Sequence, residues 1–241
     1  LKPLSQMVIK KRAHLGLAFD GDADRLGIID ENGKFVTTLE AFSALVNHFL
    51  GYRNETSGVA CTITMSSMVD KLGEYYNIPV YRTPVGFKYV GPKMMEKSCC
   101  IGGEESGGYA FKQHIPERDG ILSALFFLEA LIIQKKKPSN LIAELQKIMG
   151  PHIFERADLN FPPNLRKKFE LKIDQLSVDS IGGLKVVLED RQDGIKLTMK
   201  DGSWLAIRMS GTEPLIRVYV ESSDKTKIKK IFNDVFSKLR K

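Results

Sequence analysis

Asp20, Asp22 and Asp24 stand at alternate positions in the run Asp20-Gly21-Asp22-Ala23-Asp24. The run follows an apolar stretch, Leu15 to Phe19, and a glycine-containing turn there can curl three carboxylates around one point. Oxygen donors with no His or Cys beside them suit a hard cation, Mg²⁺ before Zn²⁺, and three ligands leave positions for water or a phosphate oxygen. The alternative is a solvated acidic turn with Asp24 paired to Arg25. An EF-hand is disfavoured, since Asn32 occupies the place of its last acidic ligand and Glu31 falls one residue early.

Gly102-Gly103-Glu104-Glu105-Ser106-Gly107-Gly108 is a second glycine-rich loop, with carboxylates where a phosphate cradle avoids them. Glu104 and Ser106 suit sugar hydroxyls: a carboxylate accepts two O–H bonds, and a serine donates or accepts. A tight capping turn is the structural alternative. Arg208-Met209-Ser210-Gly211-Thr212-Glu213-Pro214 offers a guanidinium, two hydroxyls and the N–H groups of a turn, which are phosphate-binding parts, with Arg217 close behind as a second cation or a strand arginine. In His114 to Gly120, His114 and Arg118 are candidates to face a cleft. In Thr83-Pro84-Val85-Gly86-Phe87-Lys88, Lys88 is placed to reach an anion.

These loops need elements to hold them. The pattern predicts a helix over 3–12, strands over 15–19 and 25–30, a hairpin-type turn at 31–34 and a helix over 38–50. Strands at 58–64, 78–83 and 100–102 then alternate with helices at 66–76 and 89–97, which implies a parallel sheet covered by helices. Helices over 121–134 and 140–149 follow, and 150–163, with Pro151, Pro162 and Pro163, reads as a linker. Beyond it come a helix over 165–174, strands at 184–189, 194–199, 204–209 and 216–221, and a terminal helix. Asp193-Gly194 and Asp201-Gly202 mark tight hairpins, so this last part reads as a small antiparallel α+β domain.

The chain has 241 residues, 43% of them hydrophobic, enough for a real core. A formal net charge of +7 suits anionic partners, but the lysines cluster on solvated helix faces without an aromatic stripe, which argues against nucleic acid. Three cysteines, two of them adjacent, do not make a disulfide scaffold, and a cytoplasmic setting is expected. No signal-peptide core or run of membrane-spanning length is seen, so no membrane partner is expected. The first residue is Leu and a full motif arrives within about twenty residues, so the sequence is expected to open inside a domain.

Taken together and in this order, the loops resemble those of the α-D-phosphohexomutases, the phosphoglucomutases and phosphomannomutases. DGDADR at Asp20 to Arg25 is similar to the family's metal loop, TPVGFK at Thr83 to Lys88 and GEESGG at Gly103 to Gly108 to its sugar loops, and RMSGTEP at Arg208 to Pro214 to its phosphate loop. The resemblance implies an α/β chain of three parts. Residues 1–36 would end the second mutase domain, 37–152 would form the third with a mixed sheet, and 153–241 the fourth, an antiparallel α+β domain.

It further implies phosphoryl transfer from a phosphoserine in a Ser-His loop of missing N-terminal domains, which this chain does not contain. The product would be a hexose 1,6-bisphosphate, and glucose 1,6-bisphosphate would be the activator of the intact enzyme. By the same resemblance, Mg²⁺ would sit on Asp20, Asp22 and Asp24 with Arg25 as the catalytic cation beside it. Val85, Gly86, Lys88, Glu104, Ser106, His114, Arg118, Arg208, Ser210, Gly211, Thr212 and Arg217 would bind a hexose phosphate. Glucose phosphates are expected first, mannose phosphates second and glucosamine phosphates third, and Gly108 departs from the histidine of many dual-specificity members. The chain alone is expected to be inactive. Two rival readings stay open: a phosphosugar-binding module that works without catalysis, and a phosphatase using Asp20 as nucleophile.

Overall fold

The computed structural model describes residues 1–211 and 213–240, apart from the side chain of Arg240. The chain folds as two compact units, Leu1–Gly150 and Pro151–Lys241.

The first unit opens with α1 (Lys2–Lys11), which carries Pro3 in its first turn and stops where Arg12 takes a left-handed conformation. Strands β1 (Gly16–Phe19), β2 (Leu26–Ile29) and β3 (Phe35–Val36) form a small antiparallel sheet in that order. Thr37 and Glu40 then close a capping box on α2 (Thr38–Gly51), each side chain meeting the other's backbone N–H. A second sheet follows from β4 (Val59–Thr62), α3 (Met68–Tyr76), β5 (Val80–Thr83), α4 (Phe87–Lys97), β6 (Ile101–Gly103) and β7 (Tyr109–Phe111). Its strand order is β5-β4-β6-β7, with β4 parallel to β5 and β6 and β7 antiparallel at the edge. The sheet is therefore mixed, and β7 was not legible as a strand: Tyr109-Ala110-Phe111 is only three residues long. Asp119 caps α5 (Gly120–Gln134) by accepting from the Leu122 N–H at 2.8 Å, and α6 (Pro138–Met149) closes the unit. Phe42, Phe49, Ile63, Met65, Phe111 and Phe127 are fully buried in its core.

The second unit corrects one expectation. Residues 150–163 are not a linker, for Ile153–Asn160 is strand β8, paired along its whole length with β13. All three prolines fall outside the strand, where a missing N–H breaks no ladder. As an edge strand it is only partly covered, so its apolar residues alternate weakly with Glu155, Arg156 and Asp158. Helix α7 (Arg166–Asp174), strands β9 (Ser180–Ile181), β10 (Leu184–Asp190), β11 (Ile195–Met199), β12 (Trp204–Met209) and β13 (Leu215–Ser222), and helix α8 (Lys225–Arg240) complete the unit. The six strands run β8-β13-β12-β11-β10-β9, antiparallel throughout. Leu197, Leu205, Ile207, Val218 and Val220 on one face meet Ile228, Ile231 and Val235 of α8. Gly194 and Gly202 hold the two hairpins at φ 74 and 84.

Candidate substrate and cation site

The β1–β2 turn bends tightly enough for the Ala23 N–H to donate to the Asp20 carbonyl at 3.2 Å. One carboxylate oxygen each from Asp20, Asp22 and Asp24 then lies within 4.8 Å of the others. Arg25 donates to Asp20 twice, through Nε and through its backbone N–H. The Gly120 N–H donates to the Ala23 carbonyl at 2.9 Å, and the Leu26 N–H to the Gly107 carbonyl at 3.0 Å. Backbone bonds thus tie the acidic turn to the start of α5 and to the glycine-rich loop after β6.

That loop lies at the carboxyl end of the parallel strands, as does the turn between β5 and α4, which is where open α/β sheets bind ligands. Glu104 is buried there, with a side chain 7% exposed, and its Oε1 accepts from the Ser106 hydroxyl at 2.8 Å and from Arg118 Nη1 at 3.0 Å. Glu105 turns the other way: its Oε2 accepts from the Thr64 hydroxyl at 2.6 Å and the Thr62 hydroxyl at 3.3 Å. Arg118 reaches Asp24 with Nη2 at 2.7 Å, and its guanidinium carbon lies 5.8 Å from the centre of the Phe87 ring. Three segments far apart in sequence, at Asp24, Phe87 and Glu104, therefore meet on one guanidinium.

Electrostatics follow from this packing. Burial raises the Asp24 carboxyl above its usual range, Asp20 and Asp22 add to the effect, and Arg118 opposes it. For Asp20 burial is the largest single influence and raises the carboxyl, but the two bonds and the charge from Arg25 together outweigh it, and the carboxyl falls below the usual range. Burial raises Glu104 as well, against the pull of Ser106 and Arg118. Asp24 Oδ1 is buried and accepts no hydrogen bond among the described residues, with Arg25 Nε 3.6 Å away. A buried oxygen left unpaired costs about 1–3 kcal/mol, and contact with a cation would satisfy it. An oxygen-only donor set with one unsatisfied buried atom fits a hard divalent ion.

The remaining candidates make contacts of their own. Lys88 lies in the first turn of α4, which begins at Phe87, and its Nζ sits 4.9 Å from the centre of the Tyr89 ring. Val85 and Gly86 precede that helix, Gly86 at φ 123. His114 is half exposed and leans on the capping Asp119 at 3.3 Å, which braces the loop before α5. In the second unit, Arg208 Nε pairs with Asp193 at 3.0 Å, and Arg217, its cross-strand neighbour, pairs with Glu213 at 3.2 Å. Ser210 is buried, and its hydroxyl accepts from the Glu213 N–H at 3.2 Å. Gly211 is open around its Cα, and Thr212 lies outside the described residues. Two contributors were missed in the sequence. Phe87 sits inside the quoted TPVGFK string, and Arg166 donates to the Ser210 carbonyl at 3.1 Å from a helix with no motif to mark it.

Comparison with known proteins covers both units. Residues 40–148 match the α/β/α domain III of phosphoglucomutase/phosphomannomutase, and residues 134–238 match the C-terminal domain of the same family. A phosphoglucomutase/phosphomannomutase of Thermococcus kodakarensis is 34% identical over 94% of this chain and 47% of its own length. A phosphoglucosamine mutase of Nautilia profundicola is 32% identical over 95% of this chain and 47% of its own. A crystal structure of a phosphoglucomutase/phosphomannomutase family protein from Burkholderia thailandensis shares the fold, with a TM-score of 0.82 at 19% identity, over 100% of this chain and 49% of that one. The chain spans about half the length of the curated relatives it matches. With both family domains in order along 40–238, the chain belongs to the α-D-phosphohexomutase family and corresponds to its C-terminal half.

Proposed function

We propose that this chain supplies the cation, sugar and phosphate loops of an enzyme that interconverts hexose 1-phosphate and hexose 6-phosphate, with glucose phosphates as the first substrate. The observation that carries the reading is the convergence of Asp24 and Glu104 on Arg118 at the carboxyl end of the parallel strands. Asp20, Asp22 and Asp24 would hold Mg²⁺, which when bound neutralises charge on a transferring phosphoryl group. Arg25 adds a fixed positive charge beside it. Glu104, with Oε1 already engaged, has its other oxygen for a sugar hydroxyl. Arg208, Ser210, Gly211 and Thr212 would take the distal phosphate, with a guanidinium as the anchor. The phosphoryl donor is a serine of upstream domains, and a 1,6-bisphosphate is the intermediate and activator.

Glucosamine phosphates are a second reading, supported by relatives such as the Nautilia profundicola enzyme and by the inward turn of Glu105. Glu105 is taken up by Thr62 and Thr64 and so does not itself favour the glucose ester. The test is a full-length polypeptide carrying this sequence, assayed with glucose 1-phosphate and with glucosamine 1-phosphate. Mg²⁺-dependent conversion of the glucose ester with the higher kcat/KM supports the first reading. Preference for the glucosamine ester overturns the substrate assignment, and conversion of neither overturns the function.

A further inference from the structure

Arg118 can bridge Asp24 and Glu104 only because residue 108 has no side chain. A Cβ built on Gly108 would lie 2.3 Å from Arg118 Cδ and 2.8 Å from Cγ, well inside contact distance. Gly108 pairs in an isolated antiparallel bridge with Arg25, the residue after the acidic turn, so its backbone is not free to retreat. The stem of Arg118 therefore runs through a slot at Gly108. From there its two terminal nitrogens reach opposite ways, Nη2 to Asp24 Oδ2 at 2.7 Å and Nη1 to Glu104 Oε1 at 3.0 Å.

We propose that Gly108 and Arg118 act as one device: the glycine slot admits a positioning arginine that competes with the divalent cation for Asp24 and so links cation occupancy to the setting of Glu104. The inference rests on the reading of Asp20, Asp22 and Asp24 as a cation site. Asp24 has two oxygens with different fates. Oδ2 is held by Arg118, while Oδ1 is buried, accepts no hydrogen bond among the described residues and lies 3.6 Å from Arg25 Nε. A cation on Oδ1 draws charge from the same carboxylate that anchors Arg118, and it repels the guanidinium across a few ångströms. Weakening that anchor shifts Arg118 toward Glu104, the only other carboxylate its two terminal nitrogens contact among the described residues. Linkage makes the effect reciprocal: whatever fixes Arg118 on Asp24 weakens the cation, and whatever removes Arg118 strengthens it.

The test is a double-mutant cycle on this chain read by Mn²⁺ binding, followed as loss of the free-ion electron paramagnetic resonance signal. Arg118→Met keeps an unbranched stem and removes the charge, and it should tighten Mn²⁺ binding about tenfold. Gly108→Ala drives the stem out of the slot and should tighten binding in the same direction. Added to Arg118→Met it should have no further effect, because the residue it displaces is already neutral. Arg118→Lys restores a charge and should return affinity toward that of the unaltered chain. Should Gly108→Ala fail to fold, the Met and Lys variants still decide the matter. Equal Mn²⁺ affinity in the unaltered, Met and Lys chains overturns the inference, as does a Gly108→Ala effect that persists undiminished without Arg118. No Mn²⁺ binding by the unaltered chain overturns the cation reading and the inference with it.

Discussion

Glu105 Oε2 and the Thr64 hydroxyl are 2.6 Å apart at the carboxyl end of β4, and this contact divides the labour of two adjacent glutamates. Glu105 fastens its loop to the parallel sheet, while Glu104 is left to face Ser106 and Arg118. Glu105→Gln keeps an acceptor for Thr64, so it should leave the balance between glucose and glucosamine esters unchanged in the full-length enzyme. Glu105→Ala removes the acceptor and should lower stability by about 1–3 kcal/mol, measured by urea unfolding of this chain.

Asp22 is exposed, and its replacement disturbs little packing. Asp22→Ala in the full-length protein should therefore lower kcat by roughly 10²- to 10³-fold with an unchanged melting temperature, as expected for loss of an electrostatic contributor to the reaction. Normal turnover in this variant would move the cation site elsewhere.

Arg208 is mostly buried, with a side chain 12% exposed, and it is paired with Asp193 in the second unit. Arg208→Ala in the full-length protein should raise KM for the hexose phosphate about 10- to 100-fold with a smaller change in kcat, because a guanidinium grips substrate and transition-state phosphate alike. Arg208→Lys keeps the charge but not the fork, and should recover only part of the loss.

His48 is wholly buried in α2, 3.6 Å from Glu129 through Nε2, and both ring nitrogens lack hydrogen-bond partners among the described residues. Burial lowers its pKa below the ordinary 6.5, with Glu129 pulling the other way and Arg53 reinforcing the shift. A histidine held neutral in the folded state contributes stability that is present above the unfolded value of 6.5 and lost as pH falls below it. The melting temperature should drop between neutral pH and about pH 5, and His48→Leu should flatten that part of the profile. An identical slope in the variant would assign the pH dependence to other groups.

Much of the fold was legible because its elements are punctuated by strong local chemistry. Apolar residues at helical spacing mark α2, the apolar stretch from Ile121 marks α5, and the Asp-Gly pairs at 193–194 and 201–202 mark their hairpins. Strand β8 was hidden because an edge strand need not alternate cleanly and its flanking prolines read as a break. The acidic turn, the Glu104 loop and the Arg208 loop could each be found as motifs. What no spacing conveys is that Arg118, ninety-four residues after Asp24, reaches back to it through the slot at Gly108. That contact depends on a missing Cβ, and a sequence does not show which side chain fills the space.

The measurement that bears most directly on the central claim is conversion of glucose 1-phosphate to glucose 6-phosphate, followed in parallel for the full-length polypeptide and for this chain alone, with and without Mg²⁺. The account predicts Mg²⁺-dependent turnover in the full-length protein and none in the isolated chain, whose residues would hold cation and substrate without the phosphoryl-donating serine. Turnover by the isolated chain, free of contaminating mutase, would contradict it.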